Sequence, residues 1–165
     1  MRGLPLPGRS AMTIEVPAVL QSLSTAGSAL KAITSWRKKA RGDARALIGE
    51  IKDNLTYLDM VAEDGVTLDA VIHKLSIAEY RRLAKEGYDF NALKRKKIAS
   101  YESLKGTDLA SWAGKSTEDL IESIFEKLNV LVIKFPHVSG NANYRWRVRV
   151  DNIRKRIWLL LRHVA

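Results

Sequence analysis

The chain predicts an all-α fold: a four-helix-bundle-like domain made of two long antiparallel helical hairpins with a short-helix insertion between them. Three observations lead there. Apolar residues recur at helical rather than strand spacing through four long segments. Helix-starting and helix-stopping residues fall between those segments. At 165 residues and 46% apolar content, a full core can be buried without disulfides or metal clips.

The elements follow in chain order. Residues 1–15, with Arg2, Arg9, Pro5 and Pro7, show no stripe to bury and read as a flexible tail; they lack the continuous apolar core of a secretory signal, and Met12, just before the amphipathic pattern, is an alternative start to Met1. The rest, 16–165, reads as one helical domain. Over about 17–41, Val19, Leu23, Ala26, Leu30 and Ile33 form one stripe. Gly42 is expected to close this helix and Asp43 to cap the next, over about 43–63, whose stripe is Ala44, Leu47, Ile48, Ile51, Leu55, Leu58 and Ala62 and whose end is Asp64-Gly65. Between 66 and 115 the pattern shortens: a helix from Thr67 to Leu75, then one from Ser76 to Glu86 opened by a Ser76/Glu79 capping box and closed by Gly87. A second capping box, Ser116/Asp119, opens a helix over about 116–135 with the stripe Ile121, Ile124, Phe125, Leu128, Leu131, Val132 and Phe135, which Pro136 is expected to stop. The last helix, about 143–164, carries Trp146, Val150, Ile153, Ile157, Leu160, Leu161 and Val164 on one side.

Composition bounds the chemistry. There is no cysteine, which removes disulfide scaffolds and thiol nucleophiles and suits a reducing compartment, so the expected location is the cytoplasm. His73, His137 and His163 are far apart, so neither metal nor other cofactor is expected. No apolar run reaches the roughly 18–20 residues of a membrane span, and no membrane partner is expected. The formal net charge is +10, and residues 143–165 supply +6 of it. Such concentration points to a polyanion or an acidic protein.

Four features carry candidate chemistry. Gly114-Lys115-Ser116 ends like a phosphate-binding loop, yet Leu109 stands where the first glycine belongs and no strand precedes it, so it reads as a loop and N-cap. Glu118, Asp119, Glu122 and Glu126 read as acids complementing a helix N-terminus, with Glu122 and Glu126 on a solvated or salt-bridged edge. Lys94, Arg95, Lys96 and Lys97, beside Tyr88, Phe90 and Tyr101, are candidate phosphate contacts. On the last helix, at about 100° per residue, Arg145, Arg149, Asn152, Arg156 and His163 fall within about 60° of one another. A second face holds Arg147, Arg154 and Trp158, the last expected outside the core. If this helix lies antiparallel to the 116–135 helix, Arg147 and Arg154 are expected to face Glu122 and Glu126, because Lys127 and Lys134 occupy the other flank; the Arg145-to-His163 stripe then has no acidic partner in its hairpin.

The segment Arg156-Ile157-Trp158-Leu159-Leu160-Leu161-Arg162-His163 resembles the arginine–histidine signature of HEPN-domain proteins, in which four to six residues separate the pair. Those are small helical bundles that often dimerise and include metal-independent ribonucleases of bacterial defence and toxin systems. The resemblance implies Arg156 as phosphate stabiliser and His163 as acid/base. This chain has Ile157 where that signature carries a polar residue.

The reading that follows is a non-enzymatic binding protein whose C-terminal helix engages RNA, DNA or another acidic macromolecule through Arg145, Arg149, Asn152, Arg156, His163 and Trp158, with Lys94 to Lys97 as a second patch. Two alternatives stand beside it: a HEPN-like ribonuclease or toxin/defence component, which would bring a homodimer with it, and a regulatory or structural subunit docked through Trp158 and the basic stripe.

Overall fold

The computed structural model describes residues 26–165, with side chains described at Thr34, Ser35 and from Lys38 onward. The tail 1–15, the start of the first helix at 17, and Val19 and Leu23 of its stripe lie outside the described residues. Among the described residues the structure is helical, without a strand. The long elements are α1 (Ala26–Glu63), α4 (Thr117–Val138) and α5 (Trp146–Val164). Between the first two lie α2 (Leu68–Val71), α3 (Ala78–Lys85) and four single 3-10 turns at Ile72–Lys74, Phe90–Leu93, Glu102–Leu104 and Ala110–Trp112. No helix among the described residues is long and apolar enough to cross a membrane.

The expected first hairpin is not formed, because α1 runs through Gly42 and Asp43 as one helix. Gly42 has none of the positive φ that a left-handed cap requires, and Asp43, instead of capping a new helix, pairs one turn back with Lys39 at 2.8 Å. The sequence contains the reason. Ile33 and Ala44 are eleven residues apart, three turns to within about 20°, so the two stripes are a single stripe in phase. Against that continuity one glycine costs only about 1 kcal/mol.

The chain divides into two compact units, residues 1–44 and 45–165. In the first, the described part belongs to α1. The second holds a core of Leu47, Ile51 and Leu58 from α1, Leu83 from α3, Leu120, Ile121, Ile124, Phe125, Leu128 and Leu131 from α4, and Ile153, Ile157 and Leu160 from α5. Tyr80 stacks on Phe125 at 4.5 Å between ring centres and on Phe90 at 5.3 Å, tying the short-helix segment to α4.

Two polar residues of α1 organise the start of α3. The carboxylate of Glu50, only 8% exposed, accepts from the Glu79 amide (2.8 Å), the Tyr80 amide (3.1 Å) and the Ser76 hydroxyl (2.8 Å). Fully buried Asn54 exchanges two hydrogen bonds with the Ser76 backbone, donating at 2.7 Å and accepting at 2.8 Å. The expected Ser76/Glu79 capping box is therefore replaced: α3 begins at Ala78, the cap is supplied by α1, and Glu79 turns to Arg82 instead (2.8 Å). Gly87 does close α3 as expected, with φ +76° and the Tyr88 amide returning to the Leu83 carbonyl.

Candidate functional site

Helices α4 and α5 form an antiparallel pair. Phe135 meets Trp146 edge-to-face at 5.8 Å beside their connection, while Thr117 in the first turn of α4 meets His163 in the last turn of α5. The Ser116/Asp119 capping box is present in both directions, and the hydrogen bonds from Ser116 hold the Asp119 carboxyl below its ordinary value. Pro136 does not stop α4, which runs to Val138. Within the last turn the proline removes only its own amide, and the Ser139 amide still reaches the Phe135 carbonyl at 3.0 Å.

The predicted donor stripe divides into two halves with different surroundings. Its C-terminal half is covered by the 94–117 segment. His163, 5% exposed, shares a 2.8 Å hydrogen bond between Nε2 and the Thr117 hydroxyl, which itself donates to the Lys94 carbonyl at 2.7 Å. A hydroxyl has one proton, so Thr117 accepts from His163 and Nε2 carries the hydrogen. Burial first, and nearby Lys94 second, push the imidazole below its ordinary value, toward the neutral form. Arg156 is also drawn inward: Nη1 donates to the Asn152 carbonyl (3.0 Å), Asp108 stands 4.0 Å away, and Nε is buried without a partner among the described residues. Its burial lowers the guanidinium's proton affinity and Asp108 opposes that. These two residues hold the helix end in place rather than facing solvent.

The N-terminal half is open. Arg145 and Arg149 are exposed and Asn152 is half-buried. Arg149 and Asn152 line a depression of about 180 Å³ with Glu126, Lys127 and Val130 of α4. The guanidinium of Arg149 lies 4.7 Å over the Tyr144 ring, and Tyr144 lines a second depression of about 330 Å³ with Ile133, Lys134, His137, Asn141 and Asn143. The Arg149–Tyr144 stack thus joins two hollows along one flank of the helix pair. Lys127, Lys134, Arg145 and Arg149 have no carboxylate within ion-pair distance among the described residues, and Glu126 is the one acid lining either hollow.

The remaining predicted residues are dispersed. Lys94 to Lys97 sit by the Thr117–His163 end: the Lys94 carbonyl accepts from Thr117, Arg95 pairs with Asp89 at 2.7 Å, and Lys97, like Lys115, lies close enough to Asp119 to favour its charged form. Arg149 and His163 are fourteen residues apart, about 21 Å along α5, so the structure does not bring the cluster to the open half of the stripe. Trp158 is 57% exposed. The expectation that Arg147 and Arg154 face Glu122 and Glu126 is corrected. Arg154 binds Asp59 (2.7 Å) and Glu63 (2.6 Å) of α1 and Asp151 of its own helix (3.2 Å), while Arg147 lies 4.6 Å over Trp146. Burial, then the charges of Glu122, Glu118 and Glu126 of α4, push the Tyr80 hydroxyl up, and Glu126 also lines the hollow beside Arg149. Lys127 and Lys134, expected on the flank of the stripe, also line its hollows; Tyr144 and Asn143, in the connection before α5, line one with no sequence pattern to announce them.

Among the described residues no three His, Cys, Asp or Glu side chains come together as a metal site. Comparison with protein-family models, with curated proteins and with solved structures finds no match.

Proposed function

We propose that this protein is a non-enzymatic nucleic-acid-binding module that uses the flank of α4 and α5 lined by Lys127, Lys134, Arg145 and Arg149. The observation that carries this reading is how those cations are held. A carboxylate can take up an arginine's N–H donors. Here Arg149 rests on Tyr144, leaving its N–H edge to solvent. A fork supported in this way keeps its donors for a phosphate and loses less rotamer freedom on binding. The net charge of +10 adds long-range attraction for the same partner.

The test is fluorescence anisotropy of labelled oligonucleotides titrated with protein over a range of KCl concentrations. Tight binding that falls steeply with salt is expected, and the double variant Lys134→Gln/Arg149→Gln should bind at least about tenfold more weakly with a shallower salt slope, by ~1.4–1.8, at unchanged Tm. Arg95→Gln, which removes a cation already paired with Asp89, should change little. No binding, or binding that the double variant leaves untouched, would overturn the proposal. Equal affinity for poly-glutamate would replace nucleic acid by an acidic protein partner.

A further inference from the structure

Resting on the nucleic-acid reading, we infer that the ligand is single-stranded and that one unpaired base takes the place on the Tyr144 ring which Arg149 occupies in the free protein. The ring is held ready for it. Tyr144 sits in a connection fixed by the Tyr144 amide to the Asn141 carbonyl (2.9 Å), the Asn143 amide to the Asn141 side chain (2.9 Å) and the Trp146 amide to the Tyr144 carbonyl (2.8 Å). An Asx-type turn of this kind sets the ring's position without help from a ligand.

The ring is also incompletely satisfied. Its hydroxyl is buried without a hydrogen-bond partner among the described residues, a condition that costs stability and that proteins seldom leave uncompensated. Buried as it is, the hydroxyl is out of reach of a base on the ring, so what Tyr144 offers a base is its face. The hollow beside the ring, about 330 Å³, stands at the small end of the ~300–1,000 Å³ of ligand sites, which suits one base. Asn143 and His137 at its wall are exposed and supply further hydrogen-bonding groups.

Arg149 is the exchanging part. It lines the neighbouring hollow with Lys127 and Asn152, so a rotation off the ring carries its guanidinium toward a backbone phosphate there while the ring face opens to the base. One cation–ring contact is exchanged for a charge-assisted bond to phosphate and a base–ring stack.

A duplex fits less well. Its bases are stacked on one another, and α5 cannot enter a major groove along its length. Its C-terminal half is covered by Tyr101 and Ser103, which hold Arg162 (3.9 Å over the ring, 3.2 Å to the hydroxyl), and by the Lys94–Thr117–His163 chain of bonds.

The experiment compares a short oligothymidylate with a duplex of the same length by anisotropy, and maps photo-crosslinks from a 5-iodouracil-substituted strand by mass spectrometry. The single strand should bind about tenfold more tightly, the gain of one base–ring stack. Tyr144→Leu should abolish that preference and leave duplex affinity unchanged, Tyr144→Phe should keep it, and the crosslink should fall on Tyr144. Equal affinity for strand and duplex, with Tyr144→Leu silent, overturns this inference while the nucleic-acid reading stands; failure to bind either overturns both. If Tyr144→Leu is unstable, the crosslink decides: a site elsewhere than Tyr144 overturns the inference.

Discussion

The Thr117 hydroxyl and His163 Nε2 lie 2.8 Å apart and join the first turn of α4 to the last turn of α5. Because the hydroxyl already donates to the Lys94 carbonyl, the contact accepts only an imidazole that is protonated at Nε2. Burial and Lys94 both disfavour a second proton, so the folded value lies below the ordinary 6.5. The sign follows: the unfolded chain binds the extra proton more readily than the folded one, so this site's stabilisation is complete above about 6.5 and declines as pH falls below it toward the folded value. Chemical denaturation from pH 7.5 down to 5.5 should show a slope from this group of at most about 1.4 kcal/mol per pH unit, absent in His163→Gln. A variant with the same slope as the parent would refute the assignment. Asp119, whose value is lowered, adds stability that is complete above its ordinary 3.8 and declines as pH falls below it.

Glu50 and Asn54 predict a second outcome. Replacing Asn54 by Ala leaves the amide and carbonyl of Ser76 without partners, and an expected loss of about 2–3 kcal/mol should be read from urea unfolding. Glu50→Gln should cost a comparable amount, about 2 kcal/mol, because the two carboxylate oxygens each accept from an amide of α3 and the NH2 group of glutamine can replace neither acceptor. An Asn54→Ala protein as stable as the parent would show that Ser76 is not held from α1.

Gly42 separates one helix from two. Nothing lies within 4 Å of a Cβ added there and its φ is not positive, so Gly42→Ala should stabilise by about 0.5–1 kcal/mol and raise helical circular dichroism. A left-handed turn at this position would make the same change destabilising.

What could be read from the sequence was what is local. The α4 cap, its stripe, the ends of α1 and α3 at Gly65 and Gly87, and the exposure of Trp158 all depend on residues within a turn or two of one another. At Gly42 the local glycine–aspartate pair predicts a break, and the phase that Ile33 and Ala44 share overrides it. The Glu50 and Asn54 contacts span 22 to 30 residues, so no periodicity announces them. Helical phase groups the Arg145-to-His163 stripe, but whether a face meets solvent depends on what folds over it. Residues 94–117 cover Arg156 and His163 and leave Arg145 and Arg149 open. The partners of Arg154, Asp59 and Glu63, lie more than 90 residues away in the chain, beyond the reach of any local pattern.

Trp158 turns its indole outward on α5, one helical turn from both Arg154 and Arg162. Trp112 is buried and Trp146 half-buried, so among the tryptophans with described side chains Trp158 alone is open to water. With Trp36 replaced by Phe, the protein therefore carries its own optical reporter. Red-shifted emission, open to iodide, belongs to this one indole among the three, and the light it gives will register whatever settles on that side of the helix without any label being attached.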